Sequence, residues 1–262
     1  MLNDFDLIRR NFDHEIDIFP VADVHLGAVE HAEPEWQAFL KRVEQEDAYV
    51  ILAGDLINNS TRGTRFANPF EEVIRPREAK KRMVEYLKPI AHRILLVTSG
   101  NHEQRSLRDV DQDLTYDICN KLDIEDLYRE NMAFMCVGIG KRKSEKKSVQ
   151  TFTFCVTHGS GGGYLTGSAV NKSERFGTII EGVDCIITAH VHKGFVSHPA
   201  KIVVDPRNSF ISMRNYTVIS CVSWLNYGGY AAKAMLNPAE VCNPQKLHLK
   251  GNYCTKQIIT TW

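Results

Sequence analysis

Two pairs in this chain, Asp23-x-His25 and His190-x-His192, set metal donors two positions apart. Three more donors, Asp55, Asn101 and His158, stand alone in Leu52-Ala53-Gly54-Asp55, Gly100-Asn101-His102 and Thr157-His158. Carboxylate, amide oxygen and imidazole together suit divalent first-row cations. Each donor closes a short apolar run: Ile16 to Ala22, the run ending in Ala53-Gly54, Ile94 to Ser99, Phe152 to Thr157 and Cys185 to Ala189. Such runs read as buried strands, and a residue just past a strand belongs to the loop that follows. Donors at five strand ends therefore read as one metal site, assembled by a sheet from segments far apart in sequence.

A two-metal centre for phosphoryl chemistry holds its cations ~3.5–4 Å apart and clamps the attacking and leaving oxygens of an in-line displacement. One carboxylate must then bridge them, and Asp55 is the candidate because it ends a central strand between two groups of terminal ligands. Asp23, His25 and His192 would complete one metal, and Asn101, His158 and His190 the other. Residues two apart in an extended segment point to the same side, which would turn both members of each pair into one cavity. Asn101 adds a neutral oxygen that leaves the cations acidic enough to ionise water near neutral pH. His102 is assigned outside the metal shell, with Glu103 as the candidate partner of one ring nitrogen. An imidazolium there would protonate a leaving alkoxide or stabilise the transferred phosphoryl group. Arg62 and Arg65, on the long polar loop after Asp55, are candidate ligands of a substrate phosphate.

The elements that must hold these residues alternate. A strand over 15–22 is followed by a helix over about Glu33 to Glu46, whose Trp36, Phe39, Leu40 and Val43 form one apolar stripe. A strand from Ala48 to Ala53, a helix from Pro76 to Lys88 and a strand from Arg93 to Thr98 continue the pattern of a parallel sheet with right-handed crossovers. Leu114, Ile118 and Leu122 suggest a further helix. Met132 to Ile139 and Val149 to Val156 read as a hairpin with the charged tip Lys141 to Lys147, a solvated end rather than a nucleic-acid contact. A short helix over Ser173 to Glu181 and a strand over Asp184 to Thr188 follow. The last third, Phe195 to Val204, Phe210 to Trp224 and Gln257 to Thr261, is strand-like. Gly159 to Gly163 lacks the Gly-Lys-Ser/Thr ending of a phosphate-binding loop and reads as a flexible rim beside His158. His14, His31, His92, His198 and His248 read as surface or satisfied core residues.

At 262 residues the chain is expected to form one domain, 1–262, with a β-rich part from about 195. Lys plus Arg and Asp plus Glu number 32 each, so no overall field draws the protein to nucleic acid or to an anionic membrane, and any nucleic-acid contact would be local. Seven cysteines without a Cys-x-x-Cys spacing argue against a disulfide framework and a zinc ribbon. No stretch has signal-peptide or membrane-span character, so a cytoplasmic, reducing location is expected. Oligomeric state is left open.

Asp23-x-His25, Gly54-Asp55, Gly100-Asn101-His102-Glu103, His158-Gly159 and Ala189-His190-Val191-His192 resemble, in order, the signature blocks of the calcineurin-like metallophosphoesterase superfamily. The resemblance spans residues from about 15 to 195. It implies an α/β (α+β) fold, a four-layer αββα sandwich of two mixed sheets, with Asp55 as bridging ligand and His102 as catalytic histidine. Family members commonly carry Gly where this chain has Ala189. The Asp-Arg-Gly element of the protein serine/threonine phosphatases is replaced by Leu56-Ile57-Asn58-Asn59, and Asp23-Val24-His25-Leu26-Gly27 is similar to the first block of Mre11-type nucleases and other phosphodiesterases. The expected activity is hydrolysis of phosphate esters with two divalent ions, Mn2+ foremost and Fe, Zn, Ni or Co also suited. Phosphodiesters, nucleotide or nucleic acid, are favoured over phosphomonoesters. The rival outside catalysis is a binding module that keeps the sandwich and has lost its chemistry.

Overall fold

The strands that deliver the donors are nearly all apolar because both of their faces are covered. Val50 to Ala53, Leu95 to Thr98 and Cys185 to Ile187 are almost wholly buried, as expected of parallel strands between two layers. The computed structural model describes residues 5–61, 72–140, 149–161, 163, 165–251 and 255–262. Arg62, Arg65 and the charged tip Lys141 to Lys147 lie outside the described residues, as does Gly162 of the glycine-rich loop.

Strands β1 (Leu7–Phe12) and β2 (Ile16–Val21) precede helix α1 (Glu33–Gln45) and β3 (Tyr49–Ala53). Helix α2 (Pro76–Leu87) runs into a 3-10 stretch and β4 (Ile94–Thr98), then α3 (Glu103–Val110), α4 (Leu114–Lys121) and the short β5 (Tyr128–Arg129). Antiparallel β6 (Met132–Ile139) and β7 (Gln150–Thr157) lead to α5 (Thr166–Gly177) and β8 (Cys185–Thr188). The remainder is β9 (Phe195–Ser197), β10 (Ala200–Asp205), β11 (Phe210–Asn215), β12 (Thr217–Ser220), α6 (Gly229–Lys233), β13 (Lys246–Gly251) and β14 (Lys256–Thr261).

Two six-stranded sheets result, ordered β14-β13-β2-β3-β4-β5 and β1-β6-β7-β8-β12-β9, with β10 and β11 as a separate pair. Both sheets are mixed: β2, β3, β4 and β5 run parallel while β13 opposes β2, and β7, β8 and β12 run parallel while β6, itself parallel to β1, opposes β7 and β9 opposes β12. Alternation assigns the faces. Phe152, Phe154 and Val156 of β7 enter the main core between the sheets, whereas Cys155 turns outward to the smaller core under α5, with Ile186 and Val218. Trp36, Phe39, Leu40 and Val43 of α1 and Met83 and Leu87 of α2 cover the outer face of the first sheet. The layers are thus helix, sheet, sheet, helix.

Several elements depart from the sequence pattern. Strand β13 sits beside β2 and was absent from the expected set, because Leu247 and Leu249 give only two apolar beats between lysines and a histidine. Edge strand β1 buries Ile8 alone. Helix α5 starts at Thr166 rather than Ser173, and residues after Gly177 turn rather than continue. Pro20 sits comfortably in a central strand because the β13 ladder ends at Ile18. The six described cysteines are free, five of them buried. Among the described residues no helix is long and apolar enough to cross a membrane.

Candidate metal centre

The loops after β2, β3, β4, β7 and β8 meet at the carboxyl ends of their strands, the usual crevice of such sheets. Two of them run side by side: Asp23 N–H donates to the Gly54 carbonyl (3.1 Å), and His25 N–H to that of Asp55 (2.9 Å). A third is pressed against them. A Cβ on Gly54 would stand 2.6 Å from the Gly100 backbone, and one on Gly100 would stand 2.1 Å from Asp55 Oδ1. Glycine at both positions is therefore what lets the Asp55 and Asn101 loops touch.

The paired donors are not extended. Asp23 (φ 53°), His25 (φ 50°), Asp55 (φ 53°), His190 (φ 72°) and His192 (φ 55°) all occupy the left-handed region, at a cost of order 1 kcal/mol each. Strand-like alternation thus gives way to curled backbone as the reason both members of each pair face one cavity. Among residues other than glycine, Asp, Asn and His tolerate this conformation best, and clustered strain of this kind marks functional loops.

Three donor groups form: Asp23, His25 and His192; His25, Asp55 and His102; and Asp55, His158 and His190. Asp55 Oδ2 lies 3.2 Å from His158 Nε2, 3.7 Å from His25 Nε2 and 3.8 Å from His102 Nε2. Asp23 Oδ1 lies 3.3 Å from His192 Nε2 and 3.7 Å from His25 Nε2, and the two ring nitrogens are 3.1 Å apart. Asn101 Oδ1 sits 2.6 Å from His190 Nδ1 and 3.1 Å from His158 Nε2. All seven expected ligands thus converge, Asp55 standing between the other two sets.

The donor set fits divalent cations on the structure's own terms. Asp23 Oδ1 is fully buried and accepts no hydrogen bond, a costly state for an anionic oxygen that a cation relieves. The His158 Nδ1–H donates to the Ala53 carbonyl (2.8 Å), which fixes the tautomer and turns the Nε2 lone pair inward. Charge follows the same logic. Burial pushes the carboxyls of Asp23 and Asp55 up, but the surrounding imidazoles outweigh it and hold both below the usual range. Burial opposes protonation of His158, yet Asp55 and Asp23 push it up to about 10. His192 is raised likewise by Asp23, while His190, buried beside His158, is lowered.

His102 and Glu103 part company. The His102 Nδ1–H donates to the Asn58 carbonyl (2.6 Å), not to Glu103, so Nε2 faces the donors. Burial, with the charges of His25 and Arg105, pushes its pKa down to about 3, so the ring is neutral rather than the expected imidazolium. Glu103 is buried and accepts from three backbone groups: Oε2 from Asp55 N–H (3.1 Å) and Gly100 N–H (3.0 Å), Oε1 from Ile57 N–H (2.9 Å). Burial and the Asp55 charge push it up to about 7. The expected Glu103–His102 pair is corrected accordingly: the first turn of α3 aims the Glu103 carboxylate back under the loops.

Other contributors carried little sequence signal. Asn59, buried and left-handed (φ 46°), donates to the His102 carbonyl (2.7 Å) and to Ser106 Oγ (3.0 Å). Arg105 Nη1 donates to the Asn58 (3.2 Å) and Asn59 (3.4 Å) carbonyls. Both lie within a few residues of a candidate donor, and only that proximity could have flagged them. Trp224 N–H donates to the Asp23 carbonyl (3.0 Å) from a segment read as strand. A cleft of about 130 Å³ opens beside Asn101 and His158, lined also by Ser99, Gln104, Asn131, Thr157 and Gly159. The larger cavity, about 690 Å³ beside β14, contains none of the site residues.

One solved structure similar to this chain is described as a novel phosphatase from Mycoplasma pneumoniae: 11% identity, 95% of this chain and 94% of that chain covered, TM-score 0.35, too low to carry weight here. No curated protein matches. The family model described as calcineurin-like phosphoesterase matches residues 18–194, from β2 to just past His192. That span is more than half of the sequence, and the chain belongs to this family of metal-dependent phosphoric ester hydrolases.

Proposed function

We propose that the chain hydrolyses phosphodiesters, nucleotide or nucleic acid, at a two-metal centre in which Asp55 would be the shared ligand. The observation that carries the bridging role is the position of Asp55 Oδ2, within 3.8 Å of ring nitrogens from three separate loops. Asp23, His25 and His192 would hold one ion, and Asn101, His158 and His190 the other. When bound, the ions, Mn2+ foremost, acidify water and offset charge on the phosphoryl oxygens.

The chain's own residues orient and protonate. His158, locked by Ala53, keeps its lone pair on the centre. His102, held through Asn58, directs Nε2 at the same space. The negative charge of a bound ester opposes the burial that keeps this ring neutral, so His102 takes up a proton with substrate and delivers it to the leaving oxygen. Arg62 and Arg65 remain candidate phosphate ligands in the sequence beyond Asp55. The diester preference is supported by Leu56-Ile57-Asn58-Asn59 standing where the protein phosphatases carry Asp-Arg-Gly.

The test compares p-nitrophenyl phosphate with bis(p-nitrophenyl) phosphate under added Mn2+ and under EDTA. A diester kcat/KM at least ~10-fold higher, abolished by EDTA, is expected. Equal or monoester-favouring rates would overturn the diester reading, and EDTA-insensitive turnover would overturn the metal centre.

A further inference from the structure

Among the described residues, β10 and β11 pair only with each other and form a two-stranded ribbon outside both main sheets. Its register sets Lys201 opposite Arg214 on one face, with Ile202 opposite Met213 and Val204 opposite Ile211 on the other. The charged face leans on the body: Lys201 Nζ donates to the Ile180 carbonyl (2.6 Å) and lies 5.4 Å from the Tyr216 ring, and Arg214 approaches Asp184 (3.8 Å). Alternation then turns Ile202, Val204, Ile211 and Met213 outward, 75, 62, 68 and 74% exposed, while Val203 and Phe210 on the charged face add 40 and 60% exposure toward the ribbon's tip. This inverts the usual rule of polar side out, and an isolated two-stranded ribbon is marginal in water. Such a face is built to be covered.

We infer that it is covered by the same face of a second copy of this chain. A two-fold axis lays a patch onto itself, so no complementary surface need exist elsewhere. The four outward side chains carry no charge, as at the buried centre of homodimer interfaces. They expose on the order of 500 Å², the greater part of the ~800 Å² per partner of a stable specific interface. The ribbon tip is polar: Asp205 Oδ1 accepts from the Arg207 and Asn208 N–H groups (3.1 Å each) and Oδ2 from Asn208 Nδ2 (2.7 Å). A tip this polar is poorly suited to entering a bilayer end first.

Sedimentation of the full chain across roughly 1–100 μM tests the inference. The expected mass is about twice 29.8 kDa. The double variant Ile202→Glu/Met213→Glu should sediment as a single chain, as should the independent Val204→Lys/Ile211→Lys. Both change exposed positions, so circular dichroism and metal content should match the wild type. A wild-type protein that stays single throughout overturns the proposal, and so does a doubled mass that survives both folded variants. A single chain that co-floats with phosphatidylcholine/phosphatidylglycerol vesicles, and stops doing so in the variants, would reassign the face to lipid.

Discussion

Replacing Glu103 tests whether that carboxylate clamps the ligand loops or takes part in the reaction. In Glu103→Ala the N–H groups of Asp55, Ile57 and Gly100 lose their acceptor in a buried setting. An unsatisfied buried donor costs about 1–3 kcal/mol, so allowing for some water entry the variant should lose about 3–6 kcal/mol, a large share of the ~5–15 kcal/mol of a typical domain. Glu103→Gln should be milder: its oxygen in place of Oε2 keeps two bonds, and its amide confronts the Ile57 N–H, for a loss of about 1–3 kcal/mol. Urea unfolding of metal-free and Mn2+-loaded protein reads both values, and elemental analysis reads occupancy. Because the released groups belong to or adjoin Asp55 and Asn101, occupancy should fall in step with stability, and excess metal should restore part of the rate. If Glu103→Gln keeps wild-type stability and full occupancy yet loses kcat as steeply as a His102 variant, the carboxylate acts on the reaction and the clamp is refuted.

Asp55→Asn should lower occupancy of both ions; elemental analysis showing loss of one alone would refute bridging. His102→Ala should retain both ions while kcat falls about 10²–10⁴-fold, and an unchanged kcat in steady-state assays would remove His102 from the chemistry. In the metal-free protein the His158 pKa is about 10 against an ordinary 6.5, so its proton contributes stability that is complete below about pH 6.5 and lost as pH rises through 10. A ligating ring must be neutral, so metal binding at pH 8 should release about one proton per chain. Calorimetric titration of Mn2+ in two buffers of different ionisation enthalpy measures this, and zero release would exclude His158 as a ligand.

What could be foreseen from sequence follows from what burial writes into it. Asp55 and Asn101 were legible because fully covered strands leave unbroken apolar runs, and a polar residue at the end of one is conspicuous. Helix α3 was not: Glu103 to Val110 is almost wholly polar, and its start is fixed by the Glu103 clamp rather than by an apolar stripe. The curled backbone of Asp-x-His and His-x-His was also hidden, since spacing alone does not separate extended from left-handed conformations. Glu103 illustrates a further limit. Adjacency to His102 suggested partnership, yet at the first turn of a helix neighbouring side chains diverge, and the carboxylate serves loops 46 to 48 positions away in the chain.

The family match closes at residue 194, after the last candidate donor, but the architecture does not. Strand β12 lies between β8 and β9, and the segment leaving it carries Trp224, whose ring packs 5.0 Å from that of Trp36 while its peptide nitrogen grips Asp23. A fragment cut at that boundary would possess every candidate donor and lack the brace behind the first of them. An inventory of donors and the competence to hold an ion are separable, and a portable version of this centre is expected to need the chain at least through Trp224.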